Sequence, residues 1–168
     1  MGTRLLPRNL DELFAHALTV EREATKRFAE LERFMRAAGL VHVADEFEAI
    51  GREEREQYEA LALGTVGREL PTVSSWEYAA HYLGPAADVV RAPRDAREAL
   101  MLAIAFERRT QLFYVDVAEH TFDDTMCAFA AEMAADESRH IARLERLLAR
   151  EPEPAPLPGG GDRLPLKP

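Results

Sequence analysis

Apolar residues recur every three or four positions over four long segments, the spacing of one buried face of an α-helix. The first segment follows Asn9, a residue that commonly caps helices, and ends at Gly39. The second begins at about Val41 and ends at Gly64 together with Gly67. The pattern predicts two consecutive long helices joined by a very short link.

Two further helices are predicted in the second half of the chain. The third begins between Pro93 and Asp95, and proline suits the first turn of a helix. A short break, HTFDD, leads to the fourth helix, which Asp123 or Asp124 would cap and which ends near Arg150. The second pair of helices is therefore also joined by a short link.

The connection between the second and third helices, residues 65–94, is long and rich in proline. It contains the stretch SSWEYAAHYLG, which predicts one short helix, and its aromatic residues are expected to pack the connection onto the bundle: Trp76, Tyr78 and Tyr82. A connection of this length between helices normally crosses the molecule. Short, long and short links predict an all-α four-helix bundle with one long crossover between helices 2 and 3, the connectivity of ferritin-like folds.

Composition divides the chain into a bundle over residues 1–150 and a tail over residues 151–168. The tail holds six of the ten prolines, so it cannot be helical and is expected to be polyproline-like. Its leucines would become ordered only against apolar surface, which a neighbouring subunit could provide: Leu157, Leu164 and Leu166.

The formal net charge of −9 argues against a nucleic-acid-binding surface, which needs clustered Lys and Arg. The longest apolar run, ALMLAIAF, is too short to cross a bilayer, and the first residues lack the apolar core of a signal peptide. A cytoplasmic protein that binds no membrane is expected. The single cysteine, Cys127, excludes an internal disulfide and is expected to be a small buried residue.

Each predicted helix carries an acidic residue near its middle, where the period calls for an apolar one. These residues are Glu21, Glu54, Glu107 and Glu137. Gln57 and His140 follow two of them by three positions, so each pair shares a helix face. Burying a carboxylate costs several kcal/mol, roughly, unless a cation compensates it. Carboxylates with an imidazole suit iron or manganese, and zinc less selectively, so the pattern favours a metal site.

The alternative interpretations are less specific. One Glu-x-x-His on a helix occurs often by chance, and a single acidic residue on an apolar face commonly pairs with Arg or lies at a bundle end. The coincidence on four helices favours the metal site. The charge run GREERE is expected to be a mostly solvated face, Glu54 excepted, and the remaining histidines are expected to be surface or core residues: His16, His42, His81 and His120.

Four segments resemble the metal-binding motifs of rubrerythrins, a branch of the ferritin-like diiron carboxylate proteins. EREATKRF, which starts at Glu21, resembles E-x-x-A-x-x-x-Y with Phe28 in place of the tyrosine. FEAIGREEREQYEAL carries Glu54 at the glutamate of the first E-x-x-H motif, and FERRTQLFY carries Glu107. DESRHIARL resembles the second E-x-x-H motif. The resemblance covers residues 9–149.

The resemblance implies reduction of peroxide or oxygen at a diiron centre, with two irons per chain and zinc or manganese as the alternatives. The implied metal-binding residues are Glu54 and Glu137 as bridges, Glu21 and Glu107 as terminal carboxylates, and His140 as the nitrogen ligand, with Gln57 a weak ligand or an outer contact. No catalytic residue separate from this site is implied. Tyr114, two turns after Glu107, is either a redox neighbour of the metals or an ordinary core residue.

Three departures from the rubrerythrin pattern leave two other functions open. Gln57 stands where the family has histidine, and Thr110 stands where typical rubrerythrins carry another carboxylate. The rubredoxin module with four cysteines is missing, so an external electron donor is needed. The alternatives are iron binding or ferroxidation without peroxide turnover, and a structural bundle with a partly degenerate site. Because members of the family assemble, a homodimer is expected.

Overall fold

The structure is a computed structural model that describes residues 6–73 and 92–152. The described residues form four helices and no strand: α1 (Leu10–Ala37), α2 (Val41–Gly64), α3 (Ala96–His120) and α4 (Asp124–Leu148). Helices α1 and α2 pack along each other as one hairpin, and α3 and α4 pack as another. This confirms the predicted all-α, ferritin-like four-helix bundle.

Side-chain caps start three of the helices at the positions that the sequence indicates. Asn9 Oδ1 accepts a hydrogen bond from the backbone N–H of Glu12, and Asp95 accepts one from Glu98. Asp123, rather than Asp124, caps α4. The prediction that proline lies in the first turn of α3 is wrong, because Pro93 precedes the Asp95 cap and lies outside the helix.

The link between α1 and α2 is short because Gly39 turns the chain at once. Gly39 has φ +76°, a left-handed conformation that side chains with a Cβ rarely adopt. Its N–H bonds to the Arg36 carbonyl, and the N–H of Leu40 bonds to the Met35 carbonyl. This Schellman motif satisfies the last carbonyls of α1 and lets α2 begin at Val41.

The core consists of two apolar clusters at opposite ends of the bundle. One cluster is Leu13, Ala17, Val20, Phe113, Tyr114, Val117, Met126, Ala130, Met133 and Ala134. The other is Phe28, Met35, Val43, Ala44, Phe47, Ile50, Ala96, Ala99, Leu100, Ala103, Ile104 and Leu144. On α1, α3 and α4 the buried acidic residues lie in sequence between the members of the two clusters. The bundle therefore encloses a layer of buried acidic residues with one histidine between two apolar layers. This layer is called the charged layer here and consists of Glu21, Glu54, Glu107, Glu137 and His140.

Helices α1 and α2 approach each other closely at Gly51, which is buried in the middle of α2. A Cβ atom placed on Gly51 would lie 3.0 Å from the Cβ of Phe28 on α1. That distance is shorter than a normal van der Waals contact, so no residue larger than glycine fits without a shift of one helix. Glu54 follows Gly51 by one turn, so this contact sets the spacing of the hairpin next to the charged layer.

Several sequence-based predictions lie outside the described residues. They are the short helix in SSWEYAAHYLG, the packing of the aromatic residues of the crossover, His81, and the tail beyond Pro152. At the start of the tail, Glu151 Oε1 lies 2.6 Å from Nε2 of His42. None of the helices in the described part of the chain combines the length and the apolarity needed to cross a membrane.

Candidate metal centre

Three helices bring four of the predicted residues together in the middle of the bundle. Glu54 comes from α2, Glu107 from α3, and Glu137 and His140 from α4. One side-chain oxygen or nitrogen atom of each residue lies within 4.8 Å of the corresponding atoms of the other three. All four residues are at most 2% exposed. Spacings of this size suit a group of atoms that share a metal ion.

Glu21 of α1 lies outside that group of four but next to it. Its side chain is completely buried, and the hydroxyl of Tyr114 donates a hydrogen bond of 2.8 Å to Glu21 Oε1. Burial raises the pKa of the Glu21 carboxyl group, and the nearby charges of Glu54 and Glu137 raise it further. The structure therefore places all five predicted ligand residues in one charged layer.

The carboxyl groups of this layer are difficult to ionise. Burial and then the charge of Glu54 raise the pKa of Glu21 and that of Glu107 well above the ordinary value. Burial and then the charge of Glu107 do the same to the pKa of Glu137. Both causes oppose negative charge, and a bound cation would offset both. A cation that bound here would therefore displace protons.

Buried oxygen atoms without a hydrogen-bond partner show that this chemistry fits. They are Glu21 Oε2, Glu54 Oε2, Gln57 Oε1, Glu107 Oε1 and Glu137 Oε2. Buried polar atoms are almost always satisfied, because each unpaired one costs about 1–3 kcal/mol. Several such oxygens around one imidazole match the ligands of iron and manganese in proteins. The residues present therefore fit a carboxylate-bridged metal site.

His140 presents one ring nitrogen to the carboxyl groups and the other to the rim of the bundle. Its Nδ1 lies 2.8 Å from Glu54 Oε1 and 3.2 Å from Glu107 Oε2. Its Nε2 lies 3.2 Å from Glu53 Oε2. Burial acts to lower the pKa of His140, but Glu54 and the other carboxylates raise it overall. A proton on Nε2, facing Glu53, leaves the Nδ1 lone pair free for a cation.

Gln57, one turn after Glu54, is held by a residue that the sequence did not single out. Its Nε2 donates a hydrogen bond of 2.8 Å to Asp136 Oδ2, while its Oε1 is buried without a partner. The other oxygen of Asp136, Oδ1, contacts Arg139. The half-buried Gln57 side chain is therefore hydrogen-bonded across the bundle to α4.

Glu53 lies in the run GREERE, which is predicted to be a mostly solvated face, and 43% of its side chain is exposed. Its Oε2 contacts His140, and its Oε1 accepts a hydrogen bond of 2.6 Å from Nη1 of Arg143. Although partial burial opposes it, Arg143 holds the pKa of Glu53 below its usual range. The sequence contains a signal for Glu53 and Asp136, because each directly precedes the glutamate of a motif. Glu53 precedes Glu54 of E-x-x-Q, and Asp136 precedes Glu137 of E-x-x-H.

The other candidate residues have contacts of a different kind. Thr110 is buried, and its hydroxyl reaches the Phe106 carbonyl at 3.4 Å. His120 Nδ1 lies 2.8 Å from the Asp116 carbonyl oxygen, and the His16 ring lies 5.9 Å from that of Phe113. Cys127 is half-buried rather than fully buried. None of these contacts is with a carboxylate of the charged layer.

A comparison with protein families decides which family these features belong to. The family model named Rubrerythrin matches residues 12–148, which include every residue of the charged layer. The chain belongs to the rubrerythrin family. The predicted resemblance to rubrerythrins is confirmed, and the buried Glu and His cluster of this family member is compatible with a metal site.

A solved structure shares the fold of this rubrerythrin-family chain. It is an uncharacterized conserved protein from Magnetospirillum magnetotacticum MS-1, 27% identical, with a TM-score of 0.78. The match covers 88% of this chain and 98% of that one. No curated protein matches the chain.

Proposed function

We propose that the charged layer holds two iron ions and that the protein reduces peroxide or oxygen there. The observation that supports this most is the buried cluster of Glu54, Glu107, Glu137 and His140 in a rubrerythrin-family bundle, in which several carboxylate oxygens have no hydrogen-bond partner. Without a cation, these oxygens would destabilise the fold for no gain. Zinc and manganese are the alternative metals, because both accept the same donors.

The contacts of each carboxylate support distinct roles. Glu54 and Glu137 interact both with Glu21 and with the Glu107–His140 side of the layer, as bridging ligands should. Glu107 and His140 would complete one metal position. Glu21 would be the terminal carboxylate of the other position, held by the hydroxyl of Tyr114.

Two iron ions supply the redox chemistry, since each can give one electron and peroxide needs two electrons and two protons to form two waters. The protein supplies the surroundings. The apolar clusters on either side keep bulk water from the layer, which strengthens electrostatic interactions there. Tyr114 fixes Glu21 and is a redox neighbour at hydrogen-bond distance from a ligand. An external donor must return the electrons, because one cysteine cannot form a rubredoxin site.

A second candidate function is iron binding or ferroxidation without peroxide turnover. Gln57 favours it, because a neutral amide in place of imidazole makes the two metal positions unequal. A structural bundle with a partly degenerate site is the third candidate. Metal content distinguishes the structural bundle from the two metal-binding functions. Peroxide turnover then distinguishes peroxide reduction from iron binding or ferroxidation.

The test begins with the iron, manganese and zinc content of protein purified without chelator. About two metal ions per chain are expected, as for other dinuclear carboxylate sites. Peroxide consumption is then measured with an artificial reductant. Glu54→Ala should lose both bound metal and turnover, whereas Glu56→Ala, at an exposed acid on the same helix, should retain both.

Each outcome points to one candidate. If the chain binds no metal after incubation with Fe²⁺ under argon, the structural bundle is the remaining candidate. A chain that binds iron and consumes Fe²⁺ and oxygen, but not peroxide, would support the ferroxidase function instead. Anomalous scattering at the iron and zinc edges would identify the metal directly.

A further inference from the structure

Two similar chains of contacts lead from arginine through a carboxylate to the charged layer. In the first, Arg143 binds Glu53, and Glu53 faces His140 Nε2. In the second, Arg139 binds Asp136, and Asp136 accepts from Gln57 Nε2. Glu53 directly precedes Glu54 and contacts His140, which lies three positions after Glu137. Asp136 directly precedes Glu137 and contacts Gln57, which lies three positions after Glu54. Asp136 therefore contacts Gln57 in the same way that Glu53 contacts His140.

The chemistry of Asp136 decides which end of the Gln57 amide faces inward. A carboxylate only accepts hydrogen bonds, so the amide NH₂ group must face Asp136. An oxygen in that place would lie against another oxygen at hydrogen-bond distance and be repelled. The carbonyl oxygen is therefore the end turned away from Asp136, and that atom is buried without a partner.

We propose that Asp136 is a positioning residue that presents Gln57 Oε1 to the charged layer as the donor that replaces imidazole at the second metal position. This inference rests on the proposed metal-binding function. The second position then has only oxygen donors: Glu21, Glu54, Glu137 and Gln57. The first position has the nitrogen of His140 in addition to oxygens. The two metal positions therefore differ in their donor atoms.

The inequality has a measurable consequence for divalent ions. An imidazole binds Co²⁺ more strongly than a neutral amide oxygen does, so the His140 position should fill first. The Gln57 position should fill second and should depend on Asp136. Residues that orient a ligand from outside typically contribute about 10–100-fold to metal affinity. The loss of Asp136 should therefore weaken the second binding step and leave the first unchanged.

The experiment is a calorimetric titration of the full-length, metal-free protein with Co²⁺ under argon, with visible spectra recorded at each step. The wild-type chain should bind two Co²⁺ ions in unequal steps. Asp136→Ala should weaken the second step by about 10–100-fold. Gln57→Leu should weaken it at least as much. Gln57→His should strengthen it, because the new imidazole can donate to Asp136 as His140 does to Glu53.

The decisive variant is the double replacement Asp136→Ala with Gln57→Leu. If Asp136 acts through Gln57, the double variant binds Co²⁺ as the single Gln57→Leu variant does. An additive loss would show that Asp136 acts independently, and the proposal would then fail. Glu132→Ala is the matched control, since it removes an exposed acid one turn earlier on α4 and should change neither step.

Other outcomes are equally decisive. An unchanged second step in Gln57→Leu, or a wild-type chain that binds one Co²⁺ and is unaffected by either replacement, overturns the role of Gln57. A wild-type chain that binds no Co²⁺ overturns the proposed function itself. Thermal unfolding of each variant shows whether it is folded. If Asp136→Ala is unfolded, Gln57→Leu and Gln57→His still decide whether the amide is the donor.

Discussion

Tyr114 and Glu21 show how a single hydrogen bond stabilises the charged layer. Tyr114 is completely buried and belongs to the apolar cluster at one end of the bundle. Its hydroxyl donates to Glu21 Oε1, and this bond acts to lower the pKa of Glu21 while burial raises it. The bond connects α3 to α1 across the bundle.

Tyr114→Phe should therefore destabilise the metal-free protein. The replacement leaves Glu21 Oε1 buried without its donor, which costs about 1–3 kcal/mol. The measurement is the free energy of unfolding in denaturant after treatment with a chelator. Tyr58→Phe, at a half-buried tyrosine of α2, is the control and should change stability by less than about 0.5 kcal/mol. Equal stability of the Tyr114→Phe variant and the wild type would contradict the role assigned to this bond.

At the level of the helices, the contact of Gly51 with Phe28 fixes the distance between α1 and α2. Glycine is a poor helix former, so its place in the middle of α2 needs a packing reason. The 3.0 Å separation between Phe28 Cβ and a Cβ placed on Gly51 supplies one. Because Phe28 Cβ is attached directly to the backbone, the backbone itself must shift by a few tenths of an ångström to make room.

Gly51→Ala should lower the melting temperature although alanine favours helices. The gain in helix propensity is at most about 1 kcal/mol, while overpacking costs about 1–3 kcal/mol. Gly64→Ala is the matched control in the same helix, where an added Cβ meets nothing within 4 Å. The control should be neutral or slightly stabilising. If both variants gain stability, the approach of α1 and α2 at Gly51 is not a constraint on the fold.

At the scale of the whole molecule, the raised pKa values make stability depend on pH. Glu21, Glu107 and Glu137 have pKa values above the ordinary 4.5, and His140 has one above 6.5. Between the ordinary and the raised value, the folded protein binds more protons than the unfolded chain, so stability falls as pH rises. The stabilisation is complete below the ordinary values and is lost as pH passes through the raised ones.

Metal-free protein should therefore melt at a higher temperature at about pH 5 than at about pH 8. A bound cation replaces the protons and favours the ionised carboxylates, so metal should flatten or reverse this dependence. The measurement is a series of melting curves across this range with and without metal. Identical pH profiles for the two forms would mean that the carboxyl groups of the layer do not control stability.

Assembly is a further property of the whole molecule. Leu63 and Val66 are each 77% exposed, and Phe122 is fully exposed, so the bundle offers apolar surface to a partner or to the tail. We expect a homodimer, or a multiple of it, in which the tail lies along a subunit interface or across the bundle. Deleting residues 151–168 should shift the mass measured by light scattering towards the monomer.

A full-length variant distinguishes the contribution of the tail's apolar side chains to association from that of the rest of the tail. Replacing Leu157, Leu164 and Leu166 with serine should weaken association as the deletion does, because only apolar side chains gain from leaving water. An unchanged dimer after the deletion would assign the interface to the bundle alone.

The sequence by itself determined the four helices, the Asn9 cap of α1 and the five acidic and histidine positions of the charged layer. These features depend on residues within one or two turns of each other, such as Asn9 with Glu12, or Glu137 with His140. A break in the apolar period was sufficient to find each buried acid, because burial on one helix face follows that period. The resemblance to rubrerythrins rested on the same local spacing.

Only the tertiary structure decided which polar residues meet across the bundle. Gln57 and Asp136 are 79 positions apart, and His140 and Glu53 are 87 apart, so no local period could pair them. Thr110 is buried on α3 whereas its neighbour Gln111 is half-buried, and this too depends on how the hairpins pack against each other. The hydrogen bonds that orient possible ligands form only once two hairpins pack, and packing depends on the shapes of many side chains at once.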